Sequence, residues 1–487
     1  MEGHRPDLRS NGIRNQPKEK SPMNFMHPKK LSLAAIVSLV LFSVSPIVGE
    51  EPLKIFILAG QSNTVGHARA HTIATLFPSS DSRDQELVQM VFDSNSGISR
   101  QTLEDQLTLG KKIDELTGGI SNDKIKKMAD GAEKTALQAK VDKLKAAHEA
   151  YKKKVSAACA TADRVYINSI ADRNKKSGKL KIGYGADDSK IGPEYGFGLS
   201  IAEQVKGPIL LIKTSWGGKS LNYNFRPPSL PDFKTTPEYA EAKTKAEENL
   251  KRYEAAVKSF PQDQLRYKVD LAAYEKQMKT ADEKARKKLR QPREPREPRK
   301  PKPFSMDEAG LNYRMMNEAI QDVLANLKDN HPEYDAEAGY KIAGFVWFQG
   351  YNDQFSPEFR DNYKDNMITF IKDIRKEYNE PNLPFVIGVL GTGVTAEKVA
   401  ENQVSVGQRE AAKAPEFKDN VASVESYTEY SHYSNDVFKK GWPEHYHEWD
   451  TVGSDRPYHY LGSGAFFVRL GDAFADSIAE LMAKQNN

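Results

Sequence analysis

The 487-residue chain has very little cysteine and no strong excess of either charge. Cys159 is its single cysteine, so no disulfide can form within the chain and its stability must come from a core. The formal net charge is only +4, which for this length does not favour a nucleic-acid-binding function. The low cysteine content thus excludes stabilisation by internal disulfides, and the small net charge does not favour a nucleic-acid partner.

Long apolar runs are also scarce, and the one that stands out lies near the N-terminus. Lys29 and Lys30 precede the mostly apolar residues 31–44, and the turn-forming Ser45 and Pro46 follow. This order is the layout of a secretory signal peptide. The run is short for a membrane-spanning helix, so a retained anchor is the less favoured alternative. We therefore expect an extension with a signal peptide at 1–49, a single domain at 50–487, and a secreted or periplasmic protein with no stable membrane span in the mature chain.

After the extension, short apolar runs alternate with helical patterns about five times. Runs such as 55–58, 208–213 and 342–348, each bounded by turn residues, are typical of buried parallel strands. Helical patterns separate these runs along the chain. The alternation predicts an α/β fold: a three-layer α/β/α sandwich around a mostly parallel, five-stranded sheet of the flavodoxin-like type.

Two stretches rich in alanine and charged residues interrupt this alternation, at about 102–162 and 234–303. In the second stretch, two apolar helical faces lie on either side of Pro261. In the first, apolar and aromatic residues alternate at spacings of four and three, as on a coiled-coil seam: Leu137, Val141, Leu144, His148, Tyr151 and Val155. We predict two inserted α-helical hairpins, which are candidate docking surfaces for a protein partner.

The second insertion ends in a proline-rich segment at 293–303 with proline at near-threefold spacing. This composition is typical of an extended, semi-rigid, polyproline-like linker. Its many charges favour a solvated face, and contact with an acidic polymer is the alternative.

A serine with possible chemistry follows the first predicted strand. The sequence Gly-Gln-Ser-Asn occupies 60–63, directly after the apolar run. In open α/β sheets, ligands bind in the crevice beyond the carboxyl ends of the strands. Ser62 on such a turn would present its hydroxyl beside backbone N–H groups, as a nucleophile does. Taken alone, the stretch is equally compatible with Ser62 and Asn63 capping the next helix.

Two further strand ends and one late loop carry candidate site residues. Gly217 and Gly218 follow the strand at 208–213, and 349–353 follow the strand at 342–348. Parallel strands would bring these segments to the same sheet edge as Ser62. Near the C-terminus, Asp455 and His459 supply a base and an orienting carboxylate in one loop.

Together these motifs resemble the SGNH hydrolase superfamily, and more closely its sialate O-acetylesterase-like carbohydrate esterase branch. Gly-Gln-Ser-Asn at 60–63, the glycine pair, Gly-Tyr-Asn-Asp at 350–353 and the late histidine occur in the family's order. The likeness extends over about 53–483 if the two insertions are omitted. Four motifs in the right order are a much more specific signal than any one of them.

The resemblance implies a role for each motif residue. Ser62 would be the nucleophile, His459 the general base and acid, and Asp455 the residue that orients His459. The N–H groups of Ser62 and Gly218 and the side-chain amide of Asn352 would hold the oxyanion. Gln349 competes with Asn352 for that last role.

The sequence departs from the family pattern at two positions. Relatives often have aspartate three residues before the histidine, where this chain has Arg456, so helix capping or surface charge is an alternative role for Asp455. Many relatives also have glutamate where this chain has Tyr351, which leaves Asp353 as the nearest carboxylate.

We therefore predict a secreted serine esterase that removes acyl groups, above all O-acetyl, from a carbohydrate, with no cofactor and no nucleic-acid partner. A non-catalytic carbohydrate-binding or protein-interaction module on the same fold is the alternative. His445, His447 and Asp450 have side chains that can bind a metal, but loop hydrogen bonding is the favoured role and no metal site is predicted. His67 and His71 are interpreted as surface residues, with a place in the substrate cleft as the alternative.

Overall fold

A computed structural model describes residues 51–485 except 173, 307 and 394. The predicted signal peptide at 1–49 lies outside the described residues. The strands are β1 Leu53–Gly60, β2 Ala68–Arg69, β3 Val165–Ala171, β4 Asn174–Lys179, β5 Lys190–Ile191, β6 Ile209–Ser215, β7 Tyr340–Phe348, β8 Phe385–Val389 and β9 Val421–Glu425.

The α-helices vary in length from single turns to more than forty residues. In chain order they are α1 Ser62–Val65, α2 Ser82–Val91, α3 Arg100–Thr117, α4 Asp123–Lys126, α5 Ala132–Ala158, α6 Pro193–Gln204, α7 Pro237–Thr280, α8 Glu283–Arg286, α9 Leu311–Ala325, α10 Leu327–Asn330, α11 Pro357–Asp361, α12 Tyr363–Glu377, α13 Ala396–Glu401, α14 Gln403–Ala412, α15 His432–Lys439, α16 Tyr446–Val452 and α17 Gly464–Gln485. None of the helices in the described ranges combines the length and apolarity needed to cross a bilayer.

The main sheet has seven strands in the order β4-β3-β6-β1-β7-β8-β9. Every neighbouring pair in it is parallel except β3 with β4, which is antiparallel. The predicted mostly parallel sheet is therefore confirmed, but the predicted count of five strands is wrong. The polar edge strand β4, Asn-Lys-Lys-Ser-Gly-Lys, has no apolar pattern to reveal it. Lysines of this kind protect a sheet edge from pairing with other chains.

Alternate side chains of β1 enter two separate cores, which makes the fold three-layered. Phe56 and Leu58 belong to a core that includes residues of α6 and α17. Ile55 and Ile57 belong to a core formed with α9, α12 and α14. A strand buried on both faces needs apolar residues at consecutive positions, and this is why 55–58 is continuously apolar.

The first insertion is a helical pair that packs on the domain. Val141, His148 and Val155 on the predicted seam are buried. His148 Nε2 lies 2.9 Å from the carbonyl oxygen of His447, and Lys152 Nζ is 2.5 Å from Asp450 Oδ2. The seam of α5 is therefore covered by the domain itself, beside α16.

The second insertion is one long helix, so the predicted hairpin with a break at Pro261 is wrong. Helix α7 continues through Pro261, although proline removes one backbone hydrogen bond and crowds the preceding turn. The apolar positions before and after Pro261 share one heptad phase, so an unbroken helix keeps them all on one face. The predicted hairpin assigned the apolar positions before and after Pro261 to two helices, whereas they form one face of a single helix.

Candidate active site

The strand register places the predicted motifs side by side. Gly60, the last residue of β1, pairs with Ser215 at the end of β6 and with Phe348 at the end of β7. Ser215 also pairs with Ala171, the last residue of β3. Four strands therefore end at one level, and the residues that follow them meet at a single edge of the sheet.

Ser62 stands on a turn that only glycine at position 60 allows. A Cβ on Gly60 would lie 2.2 Å from the carbonyl oxygen of Phe348, so any other residue would force the strands apart. The Thr64 hydroxyl donates to that same carbonyl at 2.7 Å. Gln61, and not Ser62, is the N-cap of α1, and it makes no side-chain cap hydrogen bond. The helix-capping alternative for Ser62 is therefore wrong, and its half-buried hydroxyl lies at the sheet edge.

The glycine loop after β6 lies against the Ser62 turn. A Cβ on Gly217 would be 3.9 Å from Ser62 Cβ. The Gly217 N–H donates to Asp172 Oδ1 at 2.8 Å, and Asn352 Nδ2 donates to the Gly218 carbonyl at 3.0 Å. In the described part of the chain, the backbone N–H groups of Ser62 and Gly218 make no hydrogen bond. Those two groups are thus available to an anionic oxygen beside the serine.

A buried amide network holds the ends of β1 and β7 together. Gln61 Oε1 accepts from Gln349 Nε2 at 3.1 Å and lies 3.5 Å and 3.4 Å from the backbone nitrogens of Gly350 and Asn352. Gln349 Nε2 also lies 2.6 Å from Asp353 Oδ2 and 2.9 Å from a backbone carbonyl oxygen. An amide has only two protons, so those of Gln349 are committed to this network. Asn352 is the better-placed amide for an oxyanion.

Asp353 anchors the glycine loop from behind the site. Its carboxylate accepts the backbone N–H groups of Leu221 at 3.0 Å and Asn222 at 3.1 Å. Complete burial raises the pKa of Asp353 to about 6, although the hydrogen bonds that it accepts oppose that increase. The carboxylate is enclosed and holds two loops in register.

His459 lies on an unusual turn that brings Asp455 to it. His459 Nδ1 is 3.3 Å from Asp455 Oδ2, within ion-pairing distance, and it makes no well-aligned hydrogen bond to any residue of the described ranges. Tyr460 and Leu461 have φ values of 50° and 64°, in the left-handed region that such side chains seldom adopt. The strained turn therefore directly follows His459.

Buried contacts of Tyr460 stabilise the strained turn. Its hydroxyl accepts the Gly391 N–H at 3.0 Å and lies 2.9 Å from the Ser426 hydroxyl. Its ring stacks on Phe466 at a centroid distance of 4.0 Å. These contacts fix the residue next to His459.

Asp455 is held in its charged form. Burial opposes the charge, but the His459 imidazole and the Arg456 backbone N–H, which donates at 2.7 Å, together lower the pKa of Asp455. Because Asp455 faces Nδ1 of His459, the Nε2 atom is left for the reacting groups.

His67 is the main site residue whose place the sequence did not reveal. Its ring stacks on His459 at 4.1 Å with an interplanar angle of 7°, and its Nδ1 lies 3.6 Å from Asp455 Oδ2. Burial and the neighbouring His459 lower the pKa of His67 to about 4, so the ring is neutral near pH 7. The interpretation of His67 as a surface residue is wrong.

The loop of His459 is hydrogen-bonded directly to helix α1. Asn63 Nδ2 donates to the Tyr458 carbonyl at 3.2 Å. The Tyr458 ring lies 6.0 Å from that of Tyr351, which in turn lies 5.2 Å from Phe355. Phe355 and Tyr458 are 68% and 42% exposed, so an open aromatic surface borders the site. Tyr351 belongs to this surface.

The remaining histidine candidates have structural contacts elsewhere. His71 is buried, with Nε2 2.6 Å from the Asp450 carbonyl oxygen, so its interpretation as a surface residue is also wrong. His447 Nδ1 pairs with Asp114 at 2.8 Å, and His445 lies 3.5 Å from Glu448. His445, His447 and Asp450 therefore have separate partners.

Asp172 is the second site residue missing from the sequence-based set. It directly follows β3, and its backbone N–H donates to the Ser215 carbonyl at 2.9 Å. A carboxylate placed after a parallel strand, level with Ser62, is the signal by which it could have been found. Its apolar strand was recognised, but the residue after that strand was not.

Comparison with known proteins gives one family match. Residues 312–435 match the family model described as SASA, a carbohydrate esterase, sialic acid-specific acetylesterase. The segment contains β7 and Gln349, Asn352 and Asp353, whereas Ser62 and His459 lie outside it. No curated protein matches the chain significantly.

Two solved structures are similar at low sequence identity. An Arabidopsis thaliana protein is 13% identical, over 90% of this chain and 99% of its own, with a TM-score of 0.36. A carbohydrate acetylesterase from Xanthomonas citri is 10% identical, over 76% of this chain and 49% of its own, with a TM-score of 0.30. The family match over 312–435 confirms the resemblance of this chain to the sialate O-acetylesterase-like carbohydrate esterases.

Proposed function

We propose that this protein is a secreted or periplasmic serine esterase that removes O-acetyl groups from a carbohydrate. The observation that carries the proposal is the meeting of Ser62, Gly218 and Asn352 at level strand ends, with the loop of His459 fastened to the nucleophile helix. The carbohydrate esterase family match supports the substrate class. The aromatic surface of Tyr351, Phe355 and Tyr458 offers faces on which sugar rings can stack.

In the proposed reaction, Ser62 Oγ attacks the ester carbonyl carbon while His459 Nε2 takes the hydroxyl proton. The carbonyl oxygen becomes an oxyanion beside the N–H groups of Ser62 and Gly218 and the amide of Asn352. Removing one such donor costs about 2.7–4 kcal/mol of transition-state stabilisation in a known serine hydrolase. Asp455 stabilises the imidazolium and keeps Nε2 directed at the serine.

The intermediate collapses by breaking the bond to the sugar oxygen, which takes the proton from His459 and leaves as an alcohol. Water then attacks the acyl-serine, with His459 again as the base, and releases the carboxylic acid and free Ser62. Ser62 and His459 share no hydrogen bond in the described part of the chain. Catalytic hydrogen bonds of this kind often tighten only with substrate present.

Turnover of a small aryl acetate by Ser62→Ala protein tests the proposal. We expect hydrolysis to fall to the uncatalysed background. Ser215→Ala is the matched control, because this serine ends β6 at the same sheet edge and its buried hydroxyl has no hydrogen-bond partner in the described ranges. Full activity in Ser62→Ala would end the proposal, and sugar binding without any ester turnover would favour the non-catalytic module.

A further inference from the structure

Residues 237–304, which we call the arm, leave the domain as one long helix and return as an extended segment. Helix α7 has 44 residues and is therefore about 66 Å long. None of its residues is fully buried. Such a helix needs a partner along one face to be stable.

The aromatic positions on one face of α7 are half-buried from its first turn to Tyr274. Aromatic residues recur on it at multiples of seven: Tyr239, Tyr253, Phe260, Tyr267 and Tyr274. Residues on the opposite face, such as Leu265 and Val269, are 64% and 68% exposed. Something within the described chain therefore covers the aromatic face.

The return segment, residues 287–304, has the length and the end contact needed to cover this face. The ring of Phe304, at its end, lies 5.3 Å from Tyr239 in the first turn of α7. A polyproline helix of this segment's length spans about 56 Å, which is nearly the length of α7. From residue 290 onwards it makes no backbone–backbone hydrogen bond, as expected for that conformation.

Burial along the return segment has a period of three, the repeat of a polyproline helix. The half-buried edge consists of Leu289, Pro292, Pro295, Pro298, Pro301 and Phe304. Proline-rich segments of this spacing bind aromatic-lined grooves in recognition domains. The half-buried row of prolines is therefore the edge of the return segment suited to cover the aromatic face of α7.

A second edge of the same segment carries five exposed cations, which we call the basic ladder. Its members are Arg290, Arg293, Arg296, Arg299 and Lys302. At three residues per turn, successive members lie about 9 Å apart in one row. The ion pairs of the arm in the described ranges join Arg252 to Glu248, Arg266 to Asp270 and Lys287 to Glu283, so none includes the ladder.

The excess positive charge of the arm is concentrated in this return half. Residues 281–304 contain ten lysines and arginines against four acidic residues, whereas 237–280 contain nine against eight. The formal net charge of the entire chain is only +4, so an excess of six positive charges in residues 281–304 is a strong local concentration. A regular row of four guanidinium groups and one ammonium group is suited to carboxylate or sulfate groups.

Ring contacts connect the base of the arm to the loop that follows Gly218. Tyr223, in the loop after Gly218, lies 5.0 Å from Phe233, and Phe233 lies 6.2 Å from Tyr239. Asn362 Nδ2 donates to Glu238 Oε1 at 3.0 Å. A polymer on the ladder would therefore extend toward the loop that follows Gly218.

We propose that the basic ladder binds a linear anionic polysaccharide and holds it near Ser62. The inference rests on the proposed carbohydrate esterase function and names the substrate class as an acidic polymer. Duplex DNA carries a charge about every 1.7 Å, far more densely than the ladder's cations are spaced. A sugar polymer with charges spaced along its chain fits the row better. Tethering by the ladder raises the local concentration of ester groups at the site.

The test measures binding of polygalacturonate, a linear uronate polymer, to the full mature chain. The ladder variant replaces five cations together: Arg290→Gln, Arg293→Gln, Arg296→Gln, Arg299→Gln and Lys302→Gln. The control variant removes the same charge from exposed positions of α7: Lys245→Gln, Lys251→Gln, Lys258→Gln, Lys268→Gln and Lys279→Gln. Thermal unfolding of both variants checks that the arm remains folded.

We expect the ladder variant to bind at least about tenfold more weakly and the control to bind as wild type does. If all five cations contact the polymer, wild-type affinity falls by roughly 100-fold between 50 and 200 mM salt, and the ladder variant loses most of this dependence. Unchanged binding in the ladder variant, or equal loss in the control, would overturn the proposal. Equal or tighter binding of duplex DNA or phosphatidylserine vesicles would overturn the choice of partner.

Binding is also measured in Ser62→Ala protein, so that the arm and the chemistry are judged separately. Ladder-dependent binding together with full aryl acetate turnover in Ser62→Ala would refute the esterase mechanism and leave the ladder standing. On acetylated polygalacturonate, we expect kcat/KM of the ladder variant to fall relative to its own value on aryl acetate. An unchanged ratio would show that the ladder does not deliver substrate.

Discussion

The substitution Asp455→Asn removes the charge that faces His459 while keeping the local turn. Asp455 Oδ1 accepts the Arg456 N–H at 2.7 Å, and the carbonyl oxygen of asparagine can accept it as well. Asp455→Ala would lose both the charge and this turn contact. Asp455→Asn therefore isolates the electrostatic role of the carboxylate.

The size of the effect follows from the 3.3 Å separation of Asp455 and His459. Two unit charges at that distance attract by about 1.3 kcal/mol in water and about 5 kcal/mol at an effective dielectric of about 20. The side chains are only 21% and 14% exposed, so an intermediate value of about 2–3 kcal/mol applies to the imidazolium formed in the transition state. Loss of that energy reduces kcat by roughly 30- to 150-fold.

The assay is kcat for aryl acetate hydrolysis, with thermal unfolding measured on the same samples. Asp163→Asn is the matched control, since the Asp163 side chain is fully exposed and far along the chain. A kcat within threefold of wild type in Asp455→Asn would refute the reasoning. Asp172, the other carboxylate beside Ser62, would then be tested in the same way.

Three further predictions concern buried groups around the site. Asp353→Asn places an amide group opposite two backbone N–H donors. We expect the free energy of unfolding to fall by about 1–3 kcal/mol and kcat to decrease. Unaltered values of both would contradict the anchoring role of Asp353. The fully buried Lys213 Nζ donates to Glu194 at 2.9 Å. Lys213→Met should lower the free energy of unfolding, measured with denaturant, by about 3–5 kcal/mol, and adding Glu194→Gln should restore part of that loss. No recovery in the double variant would argue against a buried charge pair. Burial lowers the pKa of His71 to about 4, so below pH 6.5 the unfolded chain binds a proton that the native state excludes. His71 alone should therefore lower the free energy of unfolding by roughly 2–3 kcal/mol between pH 7 and pH 4.5, and His71→Gln should reduce the pH dependence by that amount; an unchanged slope would refute the assignment.

Apolar patterns predicted the parallel strands because a strand buried on both faces requires continuous apolar residues. The same strands explain why 60–63, 217–218 and 349–353 meet, since parallel neighbours end at one edge. Strand β4 was missed because an edge strand with a solvated face has no such pattern. Local apolarity thus indicates the interior of a sheet far better than its boundary.

Side-chain neighbours in the site were less predictable than its strand ends. The stacking of His67 on His459 depends on a loop after α1 and a strained turn near the C-terminus, which no local pattern relates. Proline inside a helical pattern predicts a break because it removes one hydrogen bond, but local sequence does not show which other segments can stabilise the helix. The proline-rich segment at 293–303 predicts a linker, and its half-buried edge becomes visible only in the structure.

The central claim, that Ser62 is a nucleophile activated by His459, is tested most directly by covalent labelling. The mature protein is treated with a serine-directed phosphonate, and the adduct is located by peptide mass spectrometry. The account predicts one adduct, on Ser62, that forms much more slowly in His459→Ala protein and at the wild-type rate in the Ser215→Ala control. Labelling of a different residue, or labelling of Ser62 that does not depend on His459, would contradict it.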